Sequence, residues 1–280
     1  MGEERWNRRK GRADGPGRRH DGAGSGAEDP VVLYGWHPVL EALRNRRRAV
    51  RRLLATENSA RRLKEEIGDL PAEPEIVRPD AINRLVGPDA VHQGLYLEAG
   101  PLPSPALDTL APEALVVVLD QITDPHNVGA IVRSCAAFGV DAVVTTARHS
   151  PAATGVLAKS ASGGLEHVPF LTVRNLAEAL IALGERGFAR VGFDSSGEAE
   201  LGAVAVRRPL ALVLGAEGKG LRQRTRDCCD VVARLDMPGA IKSLNVSNAA
   251  AIALYAAHRR PGERLRAADG GNNVRQPGSH

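Results

Sequence analysis

Short β-branched runs alternate with helical stretches through the second half of the chain. ALVVVLD (114–120), DAVVTT (141–146), VPFLTV (168–173), FARVGF (188–193) and LALVLG (210–215) are apolar on both alternations. A strand buried on both faces reads this way, and the spacing leaves room for crossover helices, so a parallel sheet in an α/β fold is expected. The first half reads differently. VVLYGWHPVLEALRN (31–45) is a short strand, a Gly turn and a helix with Pro38 near its start and Val39, Leu40 and Leu43 on one stripe. VRRLLAT (50–56) reads as a strand, SARRLKEEIG as a helix stopping at Gly68, AINRLVG as a helix and HQGLYLEAG as a strand. These segments predict a small α/β unit over 30–99.

GPLPSPALDTLAP (100–112) carries four prolines and reads as an interdomain linker. The expected organisation is a tail over 1–29, the small unit over 30–99, a linker over 100–114, a larger domain over 115–260 and a second tail over 261–280. The first tail has almost no apolar content and is expected to be disordered. IKSLNVSNAAAIALYAA (241–257) opens with polar, cap-forming residues and closes as an Ala-rich helix with almost no polar face. A surface helix keeps a polar side, so this one is expected to be buried nearly all round, with the loop before it at a site.

Composition narrows the function classes. No run of about 18 apolar residues is present, so no membrane span is expected, and the charged, Gly-rich N-terminus lacks the apolar core of a secretory signal. The cysteines are Cys135, Cys228 and Cys229. Their spacing suits neither a metal nor a bridge, which points to reduced thiols in the cytoplasm. Net charge is +4, and five of the 37 basic residues are Lys. Arg forks suit phosphate, and RNRRRAVRR (44–52) carries six Arg and no acid. That cluster is expected to contact nucleic acid, with RWNRRKGR (5–12) adding nonspecific attraction.

Three stretches could carry chemistry. LDQITDPHNVGAIVRSCAAFG places a polar turn after a buried strand that ends at Asp120, with a helix starting near Asn127. Ligands bind at such strand ends in open α/β sheets. Ile131, Cys135 and Phe138 share a stripe toward the sheet and Arg133 lies roughly opposite; by itself this also suits a capping Asn and a solvent Arg. LVLGAEGKGL (212–221) runs a strand into a Gly-rich turn holding Glu217. It matches neither a phosphate loop nor a dinucleotide fingerprint. Ser243, Asn245, Ser247 and Asn248 precede the Ala-rich helix, where ordinary capping is also expected.

Taken in order, N-x-G-A-x-x-R, LGxEGxG and SLNVS resemble the three signature motifs of the SpoU (TrmH) branch of the SPOUT RNA methyltransferases. LYGWHPVLEAL and VHQGLYLEA resemble the small ribosomal-protein-like RNA-binding domain of its ribosomal RNA ribose 2′-O-methyltransferases, most closely those acting on a guanosine of large-subunit rRNA. The resemblance implies a trefoil-knotted α/β domain, a homodimer through the knot, and S-adenosylmethionine bound near Gly215, Leu235 and Leu244. Family members often carry Pro where Asp236 stands. The implied reaction is in-line transfer to a ribose 2′-hydroxyl, in which positioning supplies roughly 7–11 kcal/mol. By the same resemblance, Arg133 grips a phosphate and stabilises the developing alkoxide, while Asn127, Glu217, Ser243 and Asn245 orient it and the ribose.

Three other readings compete. A tRNA 2′-O-methyltransferase keeps the chemistry, but the small domain favours rRNA. A noncatalytic RNA-binding or ribosome-assembly factor would keep the fold without the filled motif positions. A nicotinamide-dependent enzyme lacks its Gly fingerprint.

Overall fold

The computed structural model describes residues 30–147, 155–204, 207–241 and 243–258. The predicted tails and the Arg5–Arg12 cluster lie outside them.

The larger sheet is built from β5 (Leu115–Asp120), β6 (Ala142–Thr146), β7 (Phe170–Val173), β8 (Ala189–Phe193), β9 (Ala199–Glu200), β10 (Leu210–Gly215) and β11 (Val231–Arg234). Their order is β7-β6-β5-β10-β8-β11-β9, with every pairing parallel. β5 and β10 are buried at every position. Their side chains alternate between two cores. Leu115, Val117, Leu119, Leu210, Leu212 and Leu214 enter one core, and Val116, Val118, Ala211 and Val213 enter the other. The first core is closed by α4 (Pro125–Ala137), which supplies Val128, Ile131, Val132 and Cys135, and by α8 (Val246–His258). The second is closed by α6 (Leu176–Glu185) through Leu176, Leu180 and Leu183. The α/β class with a parallel sheet is as expected. β11 was not anticipated, because Asp230 and Arg234 bracket a run of only three apolar residues.

The smaller sheet holds β1 (Val31–Tyr34), β2 (Val50–Ala55), β3 (Glu75–Ile76) and β4 (Leu95–Ala99) in the order β1-β4-β2-β3. It is mixed: β4 runs antiparallel to β1 and β2, while β2 and β3 are parallel. α1 (Trp36–Arg44), α2 (Glu57–Ile67) and α3 (Pro79–Val86) complete the unit. Its core of Leu33, Trp36, Val39, Leu40, Leu53, Leu95 and Leu97 also takes in Ala158 from α5 (Gly155–Ala161) of the larger unit. The Pro-rich segment between the units is tied down. Ser104 Oγ donates to Phe170 O at 2.7 Å, and Arg186 Nη2 donates to Leu110 O at 2.6 Å.

Two helix expectations are corrected. α4 begins at Pro125 and not near Asn127, because the Asp124 side chain caps it by accepting from His126 N at 3.1 Å. α8 is not buried nearly all round. Val246, Ala250, Ala253 and Leu254 face the core, but Ile252 is 43% exposed and Tyr255 is 52% exposed.

α4 and α5 cross in close contact at Gly129, where a Cβ would strike Ser160 Cβ and lie 2.7 Å from Leu157 O. Gly129→Ala therefore overpacks a buried site and lowers the unfolding free energy by about 1–3 kcal/mol. A urea melt should show a lower midpoint at unchanged slope.

Candidate active site

Most of the residues expected to be functional gather at the carboxyl end of β10. Gly215, its last residue, pairs in register with Asp120 at the end of β5, and Asp194 follows β8 on the other side. Beyond Gly215 the chain turns back on itself, with Gly220 N donating to Ala216 O at 2.8 Å. Gly218 (φ 75°) and Gly220 (φ 66°) occupy left-handed backbone that suits glycine. A Cβ on Gly215 would collide with the Gly220 carbonyl, and one on Gly220 with the Asp194 carboxylate.

The two aspartates close this turn. Asp194 Oδ2 accepts from Leu221 N at 3.0 Å, and Asp120 Oδ2 accepts from Arg222 N at 3.0 Å. Asp120 is fully buried, and its other oxygen accepts from Arg222 Nε at 2.7 Å. Asp194 also accepts from Ser196 N at 2.9 Å and Ser196 Oγ at 2.7 Å. Burial alone would raise the Asp194 pKa; the bonds from Ser196 and Leu221 and the nearby Arg226 outweigh it and hold the carboxyl below its ordinary value.

The turn bounds a cavity of about 440 Å³, a size suited to a small-molecule ligand. Gly215, Leu235 and Leu244, the three residues expected around a cofactor, all line it, and so do Glu217 and Ser243. Phe193, Leu214 and Val246 add apolar wall, and Asp194, Lys219 and Arg226 add charge.

Asn127 and Asn245 are not among the lining residues. Asn245 Nδ2 donates to Asn127 Oδ1 at 2.9 Å and reaches Glu217 Oε2 at 3.5 Å. Its Oδ1 accepts from Ser247 N at 2.9 Å and Ser247 Oγ at 2.6 Å, which caps α8. Asn245 is thus a helix cap and a partner of Asn127 and Glu217 at once. Because Asp124 caps α4, the Asn127 amide oxygen is left to receive Asn245.

Arg133 is not part of this group. It is exposed, lines no part of the cavity, and has no side-chain partner among the described residues. It lies six positions beyond Asn127 on the helix, about 9 Å along the axis and about 120° around it. Asp236 is exposed and accepts from Arg234 Nε at 2.9 Å; Arg234 Nη1 in turn donates to Glu198 O at 2.7 Å. A side-chain pair therefore braces the loop beside Leu235, where the resembling family often has Pro.

Asp194 and the Asp120–Arg222 pair were missed from sequence. The available signal was that LVVVLD and ARVGFD both end in Asp at the carboxyl ends of buried strands, where ligand sites form. The Arg44–Arg52 cluster needs correction. Arg48 is buried against Glu166, Arg52 pairs with Glu75 at 2.9 Å, and Arg44 bonds Glu41 at 3.1 Å and Glu66 at 3.2 Å. The acids absent from the run arrive from one turn earlier on α1 and from other elements. Arg46, Arg47 and Arg51 remain exposed with no side-chain partner among the described residues.

Residues 114–255 match the model of the SpoU rRNA Methylase family, and residues 32–105 match the model for RNA 2′-O ribose methyltransferase substrate binding. The 23S rRNA (guanosine-2′-O-)-methyltransferase RlmB of Pseudomonas putida is 34% identical over 237 residues, covering 81% of this chain and 96% of that protein. An uncharacterized tRNA/rRNA methyltransferase of Mycobacterium avium is 35% identical over 254 residues, covering 87% of this chain and 81% of that protein. The crystal structure of the SpoU methyltransferase AviRb from Streptomyces viridochromogenes in complex with AdoMet superposes with a TM-score of 0.70 at 25% identity, covering 82% of this chain and 89% of that one. The chain belongs to the SpoU rRNA methylase family. It is an RNA ribose 2′-O-methyltransferase whose methyl donor is S-adenosylmethionine.

The cavity fits that donor. Its apolar wall suits an adenine ring, and its charged residues suit the donor's amino and carboxylate groups.

Because the folded Asp194 pKa lies below the ordinary 3.8, its contribution to stability is complete above that value. It is lost as pH falls through the lower, folded pKa. Unfolding free energy measured between pH 2 and pH 6 should therefore fall on the acid side more steeply for the wild type than for Asp194→Asn.

Proposed function

We propose that the protein methylates the 2′-oxygen of a guanosine in 23S rRNA. The observation that carries the site assignment is the hydrogen-bonded group of Asn127, Glu217 and Asn245, from three separate segments, beside a cavity lined by Gly215, Leu235 and Leu244. The substrate assignment follows the guanosine-specific relatives, 34–35% identical over most of their length.

When bound, S-adenosylmethionine supplies an electrophilic methyl group on a sulfonium. Gly215, Leu235 and Leu244 hold the donor. Glu217, Ser243 and Asn245 fix the backbone around it, and Asn127 keeps the start of α4 in register with that loop. The acceptor hydroxyl passes its proton toward the neighbouring RNA phosphate as its oxygen attacks. A guanidinium holds its protons and is a poor general base. The role of Arg133 is to hold the phosphate beside the ribose and stabilise the developing oxyanion. The target nucleotide spans the interval along α4 between the cavity rim and Arg133. The exposed Arg46, Arg47 and Arg51 bind RNA backbone.

The protein works as a cytoplasmic homodimer whose C-terminal domain is a trefoil knot. The half-exposed Ile252 and Tyr255 on α8, with Phe138 6.4 Å from the Tyr255 ring centroid, offer an apolar patch for a second copy. No helix of the described residues is long and apolar enough to cross a membrane.

Labelled S-adenosylmethionine should methylate a guanosine 2′-oxygen in unmodified 23S rRNA. Label found only in tRNA would overturn the substrate assignment. Arg133→Lys loses the bidentate fork. It should reduce turnover by roughly tenfold or more with donor affinity unchanged, read by single-turnover kinetics and calorimetry.

A further inference from the structure

Arg48 differs from the arginines around it. Its side chain is 3% exposed and that of Glu166 is 2% exposed. Arg48 Nε donates to Glu166 Oε2 at 3.2 Å, Nη2 donates to Oε1, and Nη1 donates to Gly100 O at 2.8 Å. Asn45 Nδ2 adds a bond to Glu166 Oε2 at 2.7 Å. Arg48 and Asn45 belong to the small unit, Gly100 is the first residue of the connecting segment, and Glu166 lies between α5 and β7 of the larger unit. One buried carboxylate gathers them.

The turn that presents Glu166 is seated on α4. A Cβ on Gly164 would lie 3.1 Å from Val132 O and 3.3 Å from Arg133 Cα. A Cβ on Gly163, which has φ 89°, would lie 2.5 Å from Glu41 Cγ of α1. The same stretch makes further contacts with the small unit. Lys159 Nζ donates to Val91 O at 2.9 Å, the His167 ring meets Glu41 Oε2 at 2.8 Å, and Gly155 lies against the Tyr34 ring. The small unit therefore rests on the elements that support the backbone of Arg133. A buried ion pair contributes little net stability compared with apolar packing. A bidentate fork contributes geometry, because it accepts one orientation of its carboxylate.

We propose that Arg48 and Glu166 form a latch that fixes the small domain against the turn beneath Arg133, making Arg48 a positioning residue for methyl transfer and not an RNA contact. The proposal rests on the reading that the small domain binds RNA and that Arg133 acts on the target nucleotide. Arg48→Lys keeps a buried cation beside Glu166 but loses the fork and the reach to Gly100 O.

The test uses the full chain with one spin label on each domain, S-adenosylmethionine and an unmodified 23S rRNA fragment. In Arg48→Lys the interdomain distance distribution should broaden and turnover at saturating substrates should fall roughly tenfold. Donor affinity, RNA affinity and the salt dependence of RNA binding should stay unchanged. The double variant Arg48→Met with Glu166→Met removes both charges without leaving one unpaired, and should fold. Its distance distribution should also broaden while its salt slope matches the wild type; Arg47→Ala should instead lower the slope by about one. An unchanged distance distribution in both Arg48 variants would overturn the latch. A shallower salt slope in the double variant would make Arg48 an RNA contact and overturn its positioning role. Absence of methylation by the wild type would overturn the functional reading, and the distance measurement would still decide the latch.

Discussion

Two carboxylates at the ends of the strands on either side of β10 take successive backbone N–H groups: Asp194 binds Leu221 N and Asp120 binds Arg222 N. The strands that carry them flank β10, so the chain leaving β10 at Gly215 must return to the same sheet end within six residues. That return is possible only because Gly215 and Gly220 lack side chains where the backbone and Asp194 press against them. The cavity is the space this return leaves between the turn, the β11 end and the loop before α8. Asp120 is buried and its oxygens are engaged by Arg222 N and Nε, which is the condition under which a buried carboxylate is tolerable. A ligand site built on backbone held by strand ends is rigid by construction.

The rim adds a second layer of constraint. Asn245 caps α8 through its oxygen and reaches Asn127 and Glu217 through its nitrogen. One side chain thus joins α8, α4 and the Gly-rich turn. The division of caps makes this possible, since Asp124 serves α4 and frees Asn127. Arg133 stands outside the layer, on the exposed side of the same helix.

Much of the fold was legible because parallel strands buried on both faces have a strong signature, and LVVVLD and LALVLG display it without interruption. β11 was hidden because it is short and ends in Arg234. The parts of the site carried by local pattern were legible too, and Gly215, Glu217, Ser243 and Leu244 do meet around one cavity. Long-range partners were not. The local run RNRRRAVRR contains no acid, yet Glu66, Glu75 and Glu166 from other elements, with Glu41 one turn earlier on α1, claim three of its arginines. The outward face of α8 was obscured for a related reason, since Ile252 and Tyr255 are apolar residues that the single chain leaves half-exposed.

The central claim is that the turn folded back on Gly215 forms the donor site. Calorimetric titration of S-adenosylmethionine into the wild type and Gly215→Ala tests it most directly. The wild type should bind with one site per chain. Gly215→Ala, whose added methyl meets the Gly220 carbonyl, should remain folded by circular dichroism and lose donor binding. Equal affinity in the two proteins would contradict the account and place the donor elsewhere.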